Sequence, residues 1–318
     1  MNVPVLFLVF NRPDTTQAVF DVIRASKPPR LYVACDGPRA SRPSDVDLVR
    51  RVQEIATKID WPCAVYSLFR DKNLGCRRAV SGALDWFFSL EERGIVLEDD
   101  CVVDETFFPY AEELLEKYEN DERVMTIGAL HAHGKEHVPS GDYFFSRYNH
   151  CTGWASWRRA WKLYDHDMAD WPALRKTKWL CSIGDGNLLF EHYWKNIFDK
   201  AYANEIDSWA YRWTFSCWAQ RGLTILPSRN LVRNIGFGDA ATHTKDPSHL
   251  LAQLRLESVN IPLRYPRTMI RDIAADEWTD RNLFGITYLN YLKHQIHSMP
   301  GGGGISAVYK AIKRFFRN

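Results

Sequence analysis

The 318-residue sequence lacks most of the features that assign a chain at sight. Its seven cysteines, Cys35, Cys63, Cys76, Cys101, Cys151, Cys181 and Cys217, are odd in number, scattered and without a Cys-x-x-Cys pair. That argues against a disulfide framework and against a cysteine zinc site, and makes a reducing cytosol the expected compartment. No apolar run is long enough to span a bilayer. Residues 3–10 are apolar but few, have no basic leader and run straight into Asn11-Arg12-Pro13, so a first strand is expected there rather than a signal peptide. Charge of one sign is missing too: 41 Lys and Arg against 39 Asp and Glu leave +2, with no electrostatic case for nucleic acid. No Gly-x-Gly-x-x-Gly follows the first apolar run and no Gly-Lys-Ser/Thr loop exists, so a glycine-rich turn is not what would cradle a phosphate here.

What is present is an ordinary globular composition, 46% hydrophobic and 14% aromatic, sufficient for a sizeable core. The first hundred residues alternate strand and helix. A strand over 3–10 leads to a helix capped at Asp14 with Gln17 as its box partner; a strand over 31–35 leads to a helix opening at Ser44 and Asp47. A third strand over 63–69 precedes a helix over 77–90, and a fourth over 95–97 ends in Glu98-Asp99-Asp100, with a helix start at Asp104. Four such steps imply a parallel sheet with helices on both faces, whose ligands sit beyond the carboxyl ends of the strands. The rim so defined gathers Asn11-Arg12-Pro13, Asp36-Gly37-Pro38, Arg70-Asp71-Lys72-Asn73 and the three acids. Adjacent carboxylates at a strand end repel one another and are costly to bury, so they reach water or bind a cation; hard oxygen donors suit Mg²⁺ or Mn²⁺, which in turn suit a diphosphate.

Val96-Leu97-Glu98-Asp99-Asp100 followed by Asp104-x-x-Phe107-Phe108, with the Asp ending the second strand and the Asn73-x-Gly75 helix start, resembles the nucleotide-sugar domain of GT-A-fold glycosyltransferases. The acid motif is most similar to that of the inverting N-acetylglucosaminyltransferase I family. The resemblance covers roughly residues 1–245. It implies a Rossmann-like, mostly parallel sheet flanked by helices, in which Asp100 holds Mn²⁺ on the donor diphosphate and Glu98 and Asp99 lie near ribose and sugar. It also implies Asp36 as acceptor for a uracil and Phe10, Asn11 and Arg12 as the nucleotide frame. Lys72, Arg77 and Arg78 are weaker candidates for contact with the diphosphate, since an arginine on that helix equally suits a solvated face.

Beyond residue 120 the alternation lapses. Residues 123–130 and 143–148 read as strands around a polar loop carrying His131, His133 and His137, for which a surface loop of neutral histidines is the ordinary explanation and zinc the less expected one. Trp154, Trp157 and Trp161 stand at helical spacing, expected to pack a core, although Trp154, like Trp209 further on, is a candidate for stacking on a sugar. The run Asp207-Ser208-Trp209 resembles the place of the catalytic base in inverting families. Asp207 is accordingly the expected base and also a helix N-cap, with Glu205 and Asp185 as rivals. A loop over 230–244, rich in small residues, contains His243, which the resemblance offers as a second metal ligand.

Residues 246–299 read as a helical extension, and 300–318 as a Gly-rich linker and a basic amphipathic helix over 305–318 suited to an anionic membrane surface. The expectation is an inverting, metal-dependent glycosyltransferase. It would use a nucleotide sugar, a UDP-sugar by preference, with a glycan or lipid-linked glycan acceptor, and be cytoplasmic or peripheral on the cytosolic membrane face. The alternatives are a sugar-nucleotide nucleotidyltransferase and a non-catalytic, membrane-attached glycan-binding protein.

Overall fold

Along Val5–Val9 (β1), Val5, Phe7 and Val9 enter one core and Leu6 and Leu8 enter another, the period-two division expected of a strand covered on both faces. The computed structural model describes residues 1–236 and 250–297, apart from the side chains of 294–297. After β1 come α1 (Pro13–Ser26), β2 (Arg30–Cys35), α2 (Asp45–Ala56), β3 (Ala64–Phe69), α3 (Gly75–Leu90) and β4 (Arg93–Glu98). There follow β5 (Cys101–Val103), α4 (Phe107–Lys117), β6 (Val124–Gly128), β7 (Tyr143–Ser146), β8 (Trp154–Trp157) and the short α5 (Arg158–Trp161), α6 (Trp171–Leu174) and α7 (Trp179–Ile183). Then come α8 (Leu188–Tyr202), α9 (Ala210–Ala219), β9 (Leu223–Pro227), β10 (Val232–Asn234), α10 (Leu250–Gln253), α11 (Ile273–Asn282) and α12 (Tyr288–His297).

The main sheet runs β3-β2-β1-β4-β8-β6-β9-β7. Its first four strands are parallel; β8 lies antiparallel between β4 and β6, β9 is parallel to β6, and β7 closes the edge antiparallel to β9. Helices α1, α2 and α4 cover one face and α3, α8 and α9 the other. Registers Val9↔Cys35 and Leu8↔Glu98 bring the ends of β1, β2 and β4 level, so the residues after each strand open on a common rim. A small antiparallel pair, β5 with β10, sets Asn234 opposite Cys101 and extends that rim.

Several local expectations are corrected. Helix α1 starts at Pro13 with no side-chain cap, the fixed φ of proline at the first position doing what Asp14 was expected to do. Ser44 does not cap α2, and α4 begins at Phe107, after an Asp104 turn in which the carboxylate accepts from the Thr106 amide at 2.9 Å. Trp154 and Trp157 lie on a strand. An odd offset on a pleat sends them to opposite faces and into different cores, and only Trp161 is helical. His131 and His133 are buried, each 3% exposed, rather than on a surface loop; burial holds them at about 3 and about 4, neutral at ordinary pH.

Residues 264–272 run back along the β7 edge: Asp272 N donates to Phe145 O at 2.7 Å and Arg264 N to Asp142 at 2.7 Å. Among the described residues no helix is long and apolar enough to cross a membrane. His243 and the basic segment 305–318 lie outside the described residues.

Candidate functional site

Above the level ends of β1, β2 and β4 opens a cavity of about 750 Å³. Its floor is apolar, made by Leu8, Val9 and Ala34, and its wall carries Arg12, Asp36, Glu98, Asp99, Asp100 and Asp207. Chain order explains the gathering: parallel strands deliver every β-to-α turn to the same edge.

The three acids are not equivalent. Asp99 is 4% exposed and accepts both Arg12 Nη2 and, at 3.4 Å, Arg12 Nε; the same Nη2 lies 3.0 Å from Asp100 Oδ2. Burial, then repulsion from Asp100 and Asp99, pushes Glu98 up to about 8. Burial raises Asp99 to about 6 against the pull of Arg12. Arg12 thus answers Asp99 and Asp100 directly, and Glu98 and Asp100 add hard oxygen donors of the kind Mn²⁺ or Mg²⁺ takes, although among the described residues the three carboxylates do not draw together as one three-ligand group. Gly236 borders this group. A Cβ there would collide with Asp100 Oδ2 and come within 2.8 Å of Arg12 Nη1, so only glycine lets the chain after β10 pass so close.

Asp36 has a different task. Its carboxylate accepts from Gly37 N (3.0 Å), Asn73 Nδ2 (2.9 Å), Leu74 N (3.0 Å) and Gly75 N (3.1 Å). These contacts occupy the roughly four lone-pair directions of a carboxylate. Burial nonetheless raises its pKa. The residue expected to receive a base therefore ties the 73–75 turn to the end of β2.

Asp207 is the second departure. Helix α9 begins at Ala210 with Trp209 at its cap position and no side-chain cap, so Asp207 does not start its own helix. It caps α3 instead: Oδ2 accepts from Cys76 N at 3.0 Å and Oδ1 from Arg77 N at 3.2 Å. A carboxylate at a helix N-terminus is favoured by the free amides and the helix dipole together. Gly75 makes the approach possible, with φ +79° and a position where a Cβ would stand 2.7 Å from Asp207 Oδ2. Each Asp207 oxygen has one bond here, so each keeps an acceptor direction open to the cavity it lines.

The other expected residues divide. Phe10 and Asn11 line the cavity; Arg39 lies 5.1 Å over the Phe10 ring, and Asn11 Nδ2 donates to Asp45 at 2.8 Å. Asp45, almost wholly buried, also holds Arg39, which brings it down to about 2. Arg77 does not line the cavity, its guanidinium bonding Asn204. Trp154 and Trp209 are corrected from sugar contacts to core: they are 0% and 2% exposed and stack on each other at 5.6 Å. Neither Lys72, Arg78, Glu205 nor Asp185 lines the cavity, and Asp185 is paired with Arg147 (3.2 Å) and Arg271 (2.5 Å). Among the described residues the cavity cations besides Arg12 are Arg39, Arg42 and Arg70. Arg70, just after the third strand, was already part of the expected rim; the signal for the other two was available, since Arg39 follows Asp36-Gly37-Pro38 directly and Arg42 three residues later.

No protein-family model and no curated protein matches the chain. Among solved structures it is similar to S. aureus TarS 1-349, with 10% identity, 73% of this chain and 59% of that chain covered, and a TM-score of 0.39. It is also similar to mouse xyloside xylosyltransferase 1 in its apo form, with 11% identity, 69% and 82% coverage and a TM-score of 0.34. HddC from Yersinia pseudotuberculosis matches with 9% identity, 49% and 77% coverage and a TM-score of 0.29. The chain spans 59% of the length of the TarS chain. At such identities and TM-scores the likenesses carry no argument, and the site stands on its own geometry.

Proposed function

We propose that the chain is an inverting, metal-dependent glycosyltransferase that moves a sugar from a nucleotide diphosphate sugar, a UDP-sugar by preference, to a hydroxyl of a glycan or lipid-linked glycan. The observation that supports it is a cavity at the strand ends lined by Glu98, by Asp99 and Asp100 with their shared Arg12 guanidinium, and by Asp207 at a helix N-terminus. A nucleotide diphosphate is an anion with a flat base. The cavity offers it Arg12, Arg39, Arg42 and Arg70 for charge and an apolar floor.

Asp100, with Glu98 beside it, would hold the metal ion, which when bound supplies positive charge against the charge developing on the leaving diphosphate. Arg12 keeps Asp99 and Asp100 in place and adds a fixed positive charge of its own. Asp207 takes the proton from the acceptor hydroxyl through an oxygen direction that its helix cap leaves free. The cap fixes the carboxylate's orientation, which is what a base needs before the substrate arrives.

Thermal unfolding with a panel of nucleotides and sugar nucleotides, each with and without Mn²⁺, tests the donor site. The expected result is stabilisation by UDP or a UDP-sugar that requires Mn²⁺ and disappears in Asp100→Asn. Stabilisation by nucleoside triphosphates alone would point to nucleotidyl transfer, and no shift with any nucleotide would remove the enzymatic reading.

A further inference from the structure

The loop between β6 and β7 carries His131, His133 and His137 in a His-x-His-x₃-His pattern, and the fold draws the three rings together. Ring centres are 5.1 Å apart for His131 and His133, 5.1 Å for His133 and His137, and 6.0 Å for His131 and His137. One ring nitrogen from each lies within 4.8 Å of one from each of the others. His131 Nε2, His133 Nδ1 and His137 Nδ1 are all buried and have no hydrogen-bond partner. Leaving a buried polar atom unsatisfied costs about 1–3 kcal/mol, so three together in one cluster require a reason.

The opposite nitrogens supply one. His133 Nε2 is 3.0 Å from the Ala275 carbonyl and 3.2 Å from Thr279 Oγ1, and His137 Nε2 is 2.7 Å from Asp272 Oδ2. A carbonyl only accepts, and so does an ionised carboxylate, so in both rings Nε2 bears the hydrogen and Nδ1 is left with a bare lone pair. Asp272 is itself fixed, accepting from Ala275 N at 3.0 Å as the N-cap of α11. A ring whose far nitrogen is oriented by a carboxylate or carbonyl is the arrangement that metal-binding histidines use. His131 is held from behind through its main chain, its amide donating to Asn230 Oδ1 at 3.2 Å. Phe144, 4.6 Å from His137, and Trp278, 4.6 Å from His133, close the cluster with apolar surface.

We propose that His131, His133 and His137 form a binding site for a zinc-class transition metal that rigidifies the 131–137 loop, whose His133 and His137 rings are held from behind by α11 and its N-cap, separate from the acid rim. Imidazole nitrogen favours Zn²⁺, Co²⁺ or Ni²⁺ over Mn²⁺ and Mg²⁺, so the two sites differ in donor chemistry. Tetrahedral bonds of about 2.0–2.1 Å place ligand nitrogens about 3.3 Å apart, so rings that already bring one nitrogen each within 4.8 Å need only a modest approach when the metal enters. Among the described residues the converging group holds the three histidines alone, Asp272 being engaged on the far nitrogen of His137, so the fourth position is for water or a small external ligand.

The experiment uses the full chain without a polyhistidine tag, stripped with EDTA and titrated with Zn²⁺ against a chromophoric chelator and with Co²⁺ by visible absorption. One equivalent of Zn²⁺, a tetrahedral Co²⁺ spectrum and a raised melting temperature are expected. His131 and His133 are buried and their replacement could unfold the chain, so the variants are His137→Gln, at the part-exposed ring, and Asp272→Asn. His137→Gln should weaken Zn²⁺ by at least about 100-fold and Asp272→Asn by about 10–100-fold, while Asp100→Asn leaves it unchanged. Less than stoichiometric Zn²⁺ in the wild type, equal affinity in His137→Gln, or loss in Asp100→Asn overturns the proposal.

Discussion

Arg12 Nη2 stands 3.0 Å from Asp100 Oδ2 while also bonding Asp99, so one side chain answers two carboxylates at the end of β4. Removing one partner of a buried ion pair costs about 3–5 kcal/mol, chiefly through the charge left behind. Arg12 is 22% exposed, which moves the expectation for Arg12→Gln toward the lower end, roughly 3 kcal/mol. The uncompensated acids should then depend on a cation. Added Mn²⁺ should raise the melting temperature of Arg12→Gln by several degrees more than that of the wild type. Equal shifts would mean that the acids do not hold the ion.

Asp207 separates stability from turnover. As the cap of α3, its replacement by Ala should cost about 0.5–2 kcal/mol, whereas Asn keeps one acceptor and should cost little. As general base, either replacement should lower turnover about 10²–10⁴-fold. Asp207→Asn is the informative variant: near-native denaturant midpoint with turnover reduced at least about 100-fold. Turnover close to wild type would leave Asp207 as a cap alone and return the search for a base to the cavity wall.

How far the site could be read in advance depended on sequence distance. The continuous apolar run of β1 and the acids after β4 lie within single strand-to-turn steps, so rim position followed from alternation, and Phe10, Asn11, Arg12, Glu98, Asp99 and Asp100 stand where a parallel sheet must put them. The carboxylate of Asp207 meets amides 130 and 131 positions away, a contact that no local pattern encodes. Trp154, Trp157 and Trp161 satisfied helical spacing, but pairing of β8 with both β4 and β6 imposed the strand, an override of local pattern by tertiary hydrogen bonding. The histidine spacing was visible, yet its burial was not, because Trp278 and Asp272 reach it from α11.

Gly236 tests the closeness of the β10 exit to the acids. In Gly236→Ala the new methyl group must displace the Asp100 carboxylate or the Arg12 guanidinium, since it meets both. Melting temperature should fall only slightly, because the segment is at the cavity edge. Mn²⁺-dependent nucleotide affinity should fall at least about tenfold by calorimetry. An affinity within twofold of wild type would show that Asp100 can shift without consequence, and the metal assignment would go with it.

Asp276, fully buried in α11, accepts from Ser146 Oγ at 2.5 Å and faces Arg271 Nε at 3.5 Å and Arg147 Nε at 4.0 Å. Burial outweighs these partners and pushes its carboxyl up to about 7 from an ordinary 3.8. The folded chain then holds a proton that the unfolded chain gives up near pH 4, so this group's contribution is full below pH 4 and is lost as pH rises to about 7. The loss is on the order of 4 kcal/mol for about three pH units. His131 and His133 act oppositely in part of the same window: burial depresses them, so their contribution is present above about pH 6.5 and is lost as pH falls. The wild-type curve mixes the two. The difference between wild type and Asp276→Asn isolates the carboxyl, because Asn keeps the shape and cannot titrate. Urea midpoints from pH 4.5 to 8 should show the wild type losing ground to Asp276→Asn as pH rises; parallel curves would mean that Arg147 and Arg271 keep Asp276 ionised throughout.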